Sequence, residues 1–136
     1  MKISISCDSS ALALKEAIVS RLEAQGYILQ DCASATAAAE AVAAGACQRG
    51  IVLGATGASE AVDANKVNGI RCALLSDAVS ARMTREHNDT NMMALGAGIV
   101  GQLLAFEIVD VWLKTAFSGG ERHQRRVDKI MALEIG

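Results

Sequence analysis

The run Gly50-Ile51-Val52-Leu53 is apolar throughout and leads straight into Gly54-Ala55-Thr56-Gly57-Ala58-Ser59-Glu60. A strand without polar alternation must be covered on both faces, as parallel strands inside an α/β sheet are. A glycine-rich turn opening into a helix is how such a strand passes to its covering layer. The same turn constrains chemistry. It leaves backbone N–H groups unpaired at a helix N-terminus, where an anion or a developing oxyanion is stabilised.

The rest of the chain repeats the alternation. Lys2 to Cys7 reads as a first strand ending at Asp8, with Ser9 or Ser10 capping a helix whose apolar positions Leu12, Ala13, Ala17, Ile18 and Leu22 recur at helical spacing. Gly26 ends that helix, and Tyr27-Ile28-Leu29 forms a short strand. Ala33 to Ala44 is alanine-rich and reads as a closely packed helix, alanine being the best helix former. After the glycine turn come a helix through Lys66, a strand Ile70 to Leu75, a helix Asp77 to Glu86 and a strand Met92 to Leu95. An amphipathic helix Ile99 to Lys114 and a last helix from near Arg122 follow, separated by Gly119-Gly120. The pattern predicts an α/β fold, a Rossmann-like three-layer sandwich around a parallel sheet of about five strands. The 136 residues are expected to form one domain, 1–136. Ligands in such sheets bind beyond the carboxyl ends of the strands, where Asp8, the 54–60 turn and Ser76-Asp77 fall.

Composition narrows the function. Hydrophobic residues make up 51% and aromatics 3%, so the core must be built from Ala, Val, Ile, Leu and Met. A net charge of −2 lacks the footprint of a nucleic-acid binder. Asp8 and Lys15 interrupt any signal-peptide pattern, and Gln102, Glu107 and Asp110 interrupt the longest apolar stretch. A cytoplasmic protein without membrane or nucleic-acid partners is expected. The four cysteines show no C-x-x-C pairing, Cys7 and Cys72 read as inert buried thiols, and with only His87 and His123 no metal site is expected. No cofactor is expected either. A dinucleotide-binding oxidoreductase is disfavoured, because no G-x-G-x-x-G turn follows the first strand.

Glu60 lies in the first turn of the helix behind the glycine turn, with no lysine within one turn to neutralise it. Acidic residues are common there because they complement the helix dipole, so position alone favours a structural role. Its company favours a base: a carboxylate taking a proton from carbon while the N–H groups of the turn hold the enediolate oxygen. His87 stands at a helix end beside Asn88, Asp89 and Asn91, a polar loop that presents an imidazole to a ligand or simply bonds it in place. Arg122 and Arg126 share one helix face at i,i+4. Such a pair is a solvated face, a salt-bridge site, or a fork for phosphate or carboxylate. Asp8 closes the first strand, where capping is its bland role.

At these residues the chain resembles the family of ribose-5-phosphate isomerase B and the galactose-6-phosphate isomerase subunits. The resemblance runs through Ala64-Asn65-Lys66-Val67, Gly69-Ile70-Arg71, Arg85-Glu86-His87-Asn88-Asp89-Thr90-Asn91 and Arg122-His123-Gln124-Arg125-Arg126-Val127. It implies metal-free interconversion of an aldose and a ketose phosphate, ribose 5-phosphate first. Glu60 would be the base and His87 would assist ring opening. Asn88 and the backbone of the Thr56–Ser59 turn would stabilise the enediolate. Asp8 would contact substrate, and Arg122 and Arg126 would hold the phosphate. It also implies a homodimer or homotetramer with active sites between subunits. The alanine-rich helix and Met92-Met93 are expected to supply apolar contact surface. Many members carry a catalytic cysteine where this chain has Gly54; a second branch uses a glutamate at the position of Glu60. Ser9 replaces a usual histidine, and an arginine common near Gly98 is missing. These departures leave open another sugar phosphate (galactose 6-phosphate, a tetrose phosphate), a uronate, or a partner-dependent subunit.

Overall fold

Each of the five expected strands becomes a strand of one sheet. The structure, a computed structural model, describes residues 1–135. Its strands are β1 (Lys2–Cys7), β2 (Ile28–Asp31), β3 (Arg49–Gly54), β4 (Cys72–Leu74) and β5 (Met92–Gly96). Its helices are α1 (Leu12–Ala24), α2 (Ala35–Ala43), α3 (Ala58–Asn65), α4 (Ala78–Asn88), α5 (Gln102–Lys114) and α6 (Glu121–Met131). All pairings are parallel, in the order β2-β1-β3-β5-β4, with Cys7 opposite Leu53 and Gly54 opposite Gly96.

The period of two sorts the strand residues onto two faces. Ile3, Ile5, Ile51, Leu53, Met93 and Leu95 pack with α1, α4 and α5 around the buried Trp112. Val52, Met92 and Ala94 meet α2 and α3 on the other side. That second layer is built from alanines because the helices lie close. Ser4 Oγ donates to the Ala38 carbonyl at 2.9 Å, and a methyl on Gly50 would come within 2.8 Å of both Ser4 Oγ and Met92 Cε. The connections from β1 and from β3 depart in opposite directions on opposite faces, so the sheet's switch point lies between these two strands, where Asp8 and the glycine turn meet.

The edge strand β4 is only three residues long. Its outward-facing Cys72 N–H and C=O are met by the carboxamide of Asn65, at 2.8 and 2.9 Å. This accounts for an asparagine at the end of α3.

Several expectations need correcting. Neither Ser9 nor Ser10 caps the first helix: Asp8 caps a single 3-10 turn, Ser9–Ala11, and α1 begins only at Leu12. The alanine-rich helix is Ala35–Ala43, capped by Ser34. Ala38, Ala39, Met92 and Met93 are fully buried inside the subunit, so they cannot form the outer apolar surface assigned to them. An alanine helix covering a sheet and one meeting another chain have the same sequence pattern. The apolar side chains that do face outward include Val79 and Met83 on α4, Ile99 in the turn before α5 and Leu103 in its first turn, Leu103 at 83% exposure. Among the described residues, no helix is long and apolar enough to cross a membrane.

Candidate functional site

The glycine turn rests on the end of β5. Ala97 N–H donates to the Gly54 carbonyl at 2.8 Å and Gly98 N–H to the Ala55 carbonyl at 2.9 Å. Gly57 caps α3 at φ +82°, a left-handed conformation that suits glycine, and a methyl there would also lie 2.8 Å from the Leu95 carbonyl. Ala58 N–H is already engaged by Thr56 Oγ1 at 3.3 Å. Ala58 therefore leaves the expected four-amide cradle, and Glu60 joins it. Among the described residues, the N–H groups of Thr56, Gly57, Ser59 and Glu60 donate to no protein atom, and they lie at the positive end of the α3 dipole.

Glu60 curls back from the first turn of α3 over the end of β3. A methyl placed on Gly54 would sit 2.5 Å from the Glu60 Cδ and 2.8 Å from Oε2. The carboxylate thus occupies the space that a side chain at position 54 would fill. Gly54 and Glu60 belong together: the missing side chain of one is the seat of the other. Asp8 is one residue along on the neighbouring strand, its N–H bonded to the Leu53 carbonyl at 3.1 Å. Its Oδ1 accepts from Ser10 N–H at 3.0 Å and from the Ser10 hydroxyl, which makes it a cap as well as a crevice residue.

The second group of candidates lies elsewhere. His87 and Asn88 on the last turn of α4, with Arg122, His123 and Arg126 on the first turns of α6, line an open cleft of about 440 Å³. The rings of His87 and His123 stack at 4.4 Å between centroids, tilted by 32°. Partial burial, then the nearby His87 and Arg122, hold the His123 imidazole below its ordinary pKa. No spacing in the sequence marks this ring; only the flanking Arg122 and Arg126 carry a recognisable i,i+4 pattern.

The Arg85–Asn91 segment divides into residues that build the loop and residues it displays. Arg85 is 4% exposed and donates to the carbonyls of Thr115 and Thr90 and to Asp89 Oδ1. Arg71 reaches the same turn, bonding the carbonyls of Asn88 and Asp89. Asp89 adopts φ +47° and ends α4. Thr90 takes the Trp112 indole N–H at 3.0 Å, and Asn91 ties Arg71 N–H to the Gly69 carbonyl. With those side chains turned inward, His87 and Asn88 face the cleft.

These two groups stand at opposite ends of the sheet. The Asn91 carbonyl accepts from Gly50 N–H, so the histidine loop lies at the amino end of β3, while the turn leaves from Gly54 at its carboxyl end. Four strand residues span about 13 Å, too far for one small molecule to touch both Glu60 and His87 of the same chain. The cysteines are free, and burial pushes the Cys72 thiol up to about 12, leaving no thiolate there at neutral pH. Among the described residues, no cluster of potential metal ligands occurs.

Fold and site together define a doubly wound α/β protein with a glycine-rich turn and a carboxylate at its switch point, and a separate cleft lined by two arginines and two histidines. The model of the ribose/galactose isomerase family matches residues 3–130, and the chain belongs to that family, whose members interconvert aldose and ketose sugar phosphates. It is 40% identical to the ribose-5-phosphate isomerase B of Escherichia coli over 144 residues, 98% of this chain and 96% of that one. It is 52% identical over 96 residues to YwlF of Bacillus subtilis, whose name marks it as an unproven sugar phosphate isomerase; that match covers 71% of this chain and 64% of YwlF. The solved ribose-5-phosphate isomerase B of Clostridium thermocellum superposes with a TM-score of 0.95 at 44% identity, covering 98% and 97% of the two chains.

Proposed function

We propose that this single domain isomerises ribose 5-phosphate and ribulose 5-phosphate through an enediolate, with Glu60 as the base. The observation that carries the reading is the Glu60 carboxylate seated over Gly54, beside the free N–H groups of Gly57, Ser59 and Glu60. In the aldose-to-ketose direction Glu60 takes the proton from C2. The C1 carbonyl oxygen gains the electron pair as an enediolate, held by those N–H groups. The protonated Glu60 then returns its proton to C1 while the C2 hydroxyl proton passes to the C1 oxygen, leaving the ketone at C2 and a hydroxyl at C1. His87 moves the ring-oxygen proton that frees the aldehyde, Asn88 donates to the enediolate, and Asp8 contacts the sugar. Arg122 and Arg126 hold the phosphate, each presenting a planar fork of N–H donors.

Because base and cleft lie at opposite ends of one sheet, a working site takes the turn from one copy and the cleft from a second. We assign the enzyme as a cytoplasmic homodimer, or a tetramer of such dimers, whose exposed Val79, Met83, Ile99 and Leu103 are covered by the partner. With Ser9 and Gly98 in place of cationic groups, a tetrose phosphate, galactose 6-phosphate or a uronate is the alternative substrate. Glu60→Gln tests the base directly. It removes the proton acceptor at nearly constant volume, and kcat should fall by about 10²- to 10⁴-fold with KM little changed. A Glu60→Gln enzyme with parental kcat on ribose 5-phosphate would remove the carboxylate from the mechanism.

A further inference from the structure

We propose that Ser118 and His123 form a positioning pair that aims His87 for ring opening; this rests on the assignment of His87 above. Ser118 is placed at the junction of three elements. Its N–H donates to the Glu86 carbonyl on α4 at 3.2 Å, and its Oγ accepts from Gly120 N–H at 3.3 Å, just before α6. The same Oγ bonds His123 Nδ1 at 2.7 Å. The His123 ring in turn lies on His87 at 4.4 Å. One hydroxyl thereby fixes the plane of the imidazole against which His87 stacks, and ties it to the helix turn that carries His87.

His87 forms no hydrogen bond through its ring among the described residues, so packing against His123 is what holds its orientation. A proton-transfer group needs that restraint, because its geometry must be productive before its basicity matters. The neutral form of His123 suits the role: a second cation stacked on His87 would repel the protonated form that ring opening requires. The charged groups around the pair are Arg122 and Arg126 on α6 and Glu86 on α4.

Ring opening separates this role from a general structural one. Ribose 5-phosphate closes to a furanose and must be opened before C2 can be deprotonated. Ribulose 5-phosphate is acyclic, because its C5 oxygen carries the phosphate, so its enolisation needs no ring opening. Ser118→Ala should lower kcat for ribose 5-phosphate by about tenfold, the effect of a misaligned rather than missing group, with KM unchanged. Solvent deuterium exchange into C1 of ribulose 5-phosphate should stay within twofold of the parent rate. Ser118→Thr, which restores the hydroxyl, should recover the loss. Equal losses in both assays, or none in either, would overturn the pair. A second measurement needs no turnover: in the free protein, imidazole ¹⁵N shifts of both His123 and His87 should move in Ser118→Ala and return in Ser118→Thr. Unmoved His87 shifts would also overturn the proposal. A parent protein inactive on both pentose phosphates, with both sets of shifts moving, would refute the function while leaving the coupled rings in place.

Discussion

Replacing Gly54 with alanine tests the active-site reading without touching the base. The added methyl would lie 2.5 Å from the Glu60 Cδ and 2.8 Å from Oε2, so the carboxylate must leave its seat. Its side chain is flexible and only half-buried, which lets it swing outward at little cost to the fold. Gly54 closes a strand in extended backbone, which alanine adopts readily, so stability should change by less than about 1 kcal/mol. Catalysis should suffer far more. Displacing a base by an ångström or more forfeits much of the 10²- to 10⁴-fold that proton transfer contributes, or about 3–5 kcal/mol of barrier. A loss of about 10²-fold in kcat is expected for Gly54→Ala. The decisive measurement is the cycle with Glu60→Gln, followed by ketose formation from ribose 5-phosphate. With the base already removed, the methyl has little left to disturb, and the double variant should be no slower than Glu60→Gln alone by more than about twofold. Full additivity of the two losses, or a Gly54→Ala enzyme as fast as the parent, would show that the seat over Gly54 is not where Glu60 works.

Other outcomes follow from the remaining parts of the site. Arg122→Ala and Arg126→Ala should each raise KM about 10- to 100-fold, since a charge-assisted contact is worth about 1.5–3 kcal/mol, and steady-state kinetics checks this. Arg85→Met should instead appear in denaturant unfolding as a loss of about 3–5 kcal/mol, because it strips partners from Asp89 and two carbonyls around a buried guanidinium. If the proposed dimer forms through the exposed Leu103, Leu103→Glu should give folded monomers in light scattering and abolish turnover, since on that proposal each copy supplies half of the site. The lowered His123 pKa gives a sign for stability: the unfolded chain binds that proton more readily, so stability falls as pH drops from about 6.5 through the folded value. His123→Gln should flatten that part of the pH–Tm curve.

The sheet was legible because its strands announce themselves. An unbroken apolar run such as 50–53 has no other comfortable home, and the glycine turn marks where its helix starts. Glu60 was legible for the same reason, its position in that turn being fixed by local geometry. Less visible was the division of labour inside the histidine loop. Arg82, Arg85 and Glu86 read alike as charges on a helix surface, yet Arg85 is buried, and only its contacts with Thr90, Thr115 and Asp89 distinguish it. Met92 and Met93 misled in the opposite direction: hydrophobicity demands cover but does not say whether the same chain supplies it. The stacking of His123 on His87 joins two helices distant in sequence, and no spacing encodes it.

The carboxamide of Asn65 has a consequence beyond the shortness of β4. The end strand of any sheet is a template, its bare N–H and C=O groups ready to accept another strand. Asn65 offers Cys72 one acceptor and one donor in the arrangement a further strand would present, and so occupies the first rung of that template. A single side chain acts as a stopper, ending growth of the sheet on the side that carries the histidine loop. The molecule can therefore leave a three-residue strand at its boundary without adding to it from a neighbour, and whatever assembly it enters is left to be made through its helices.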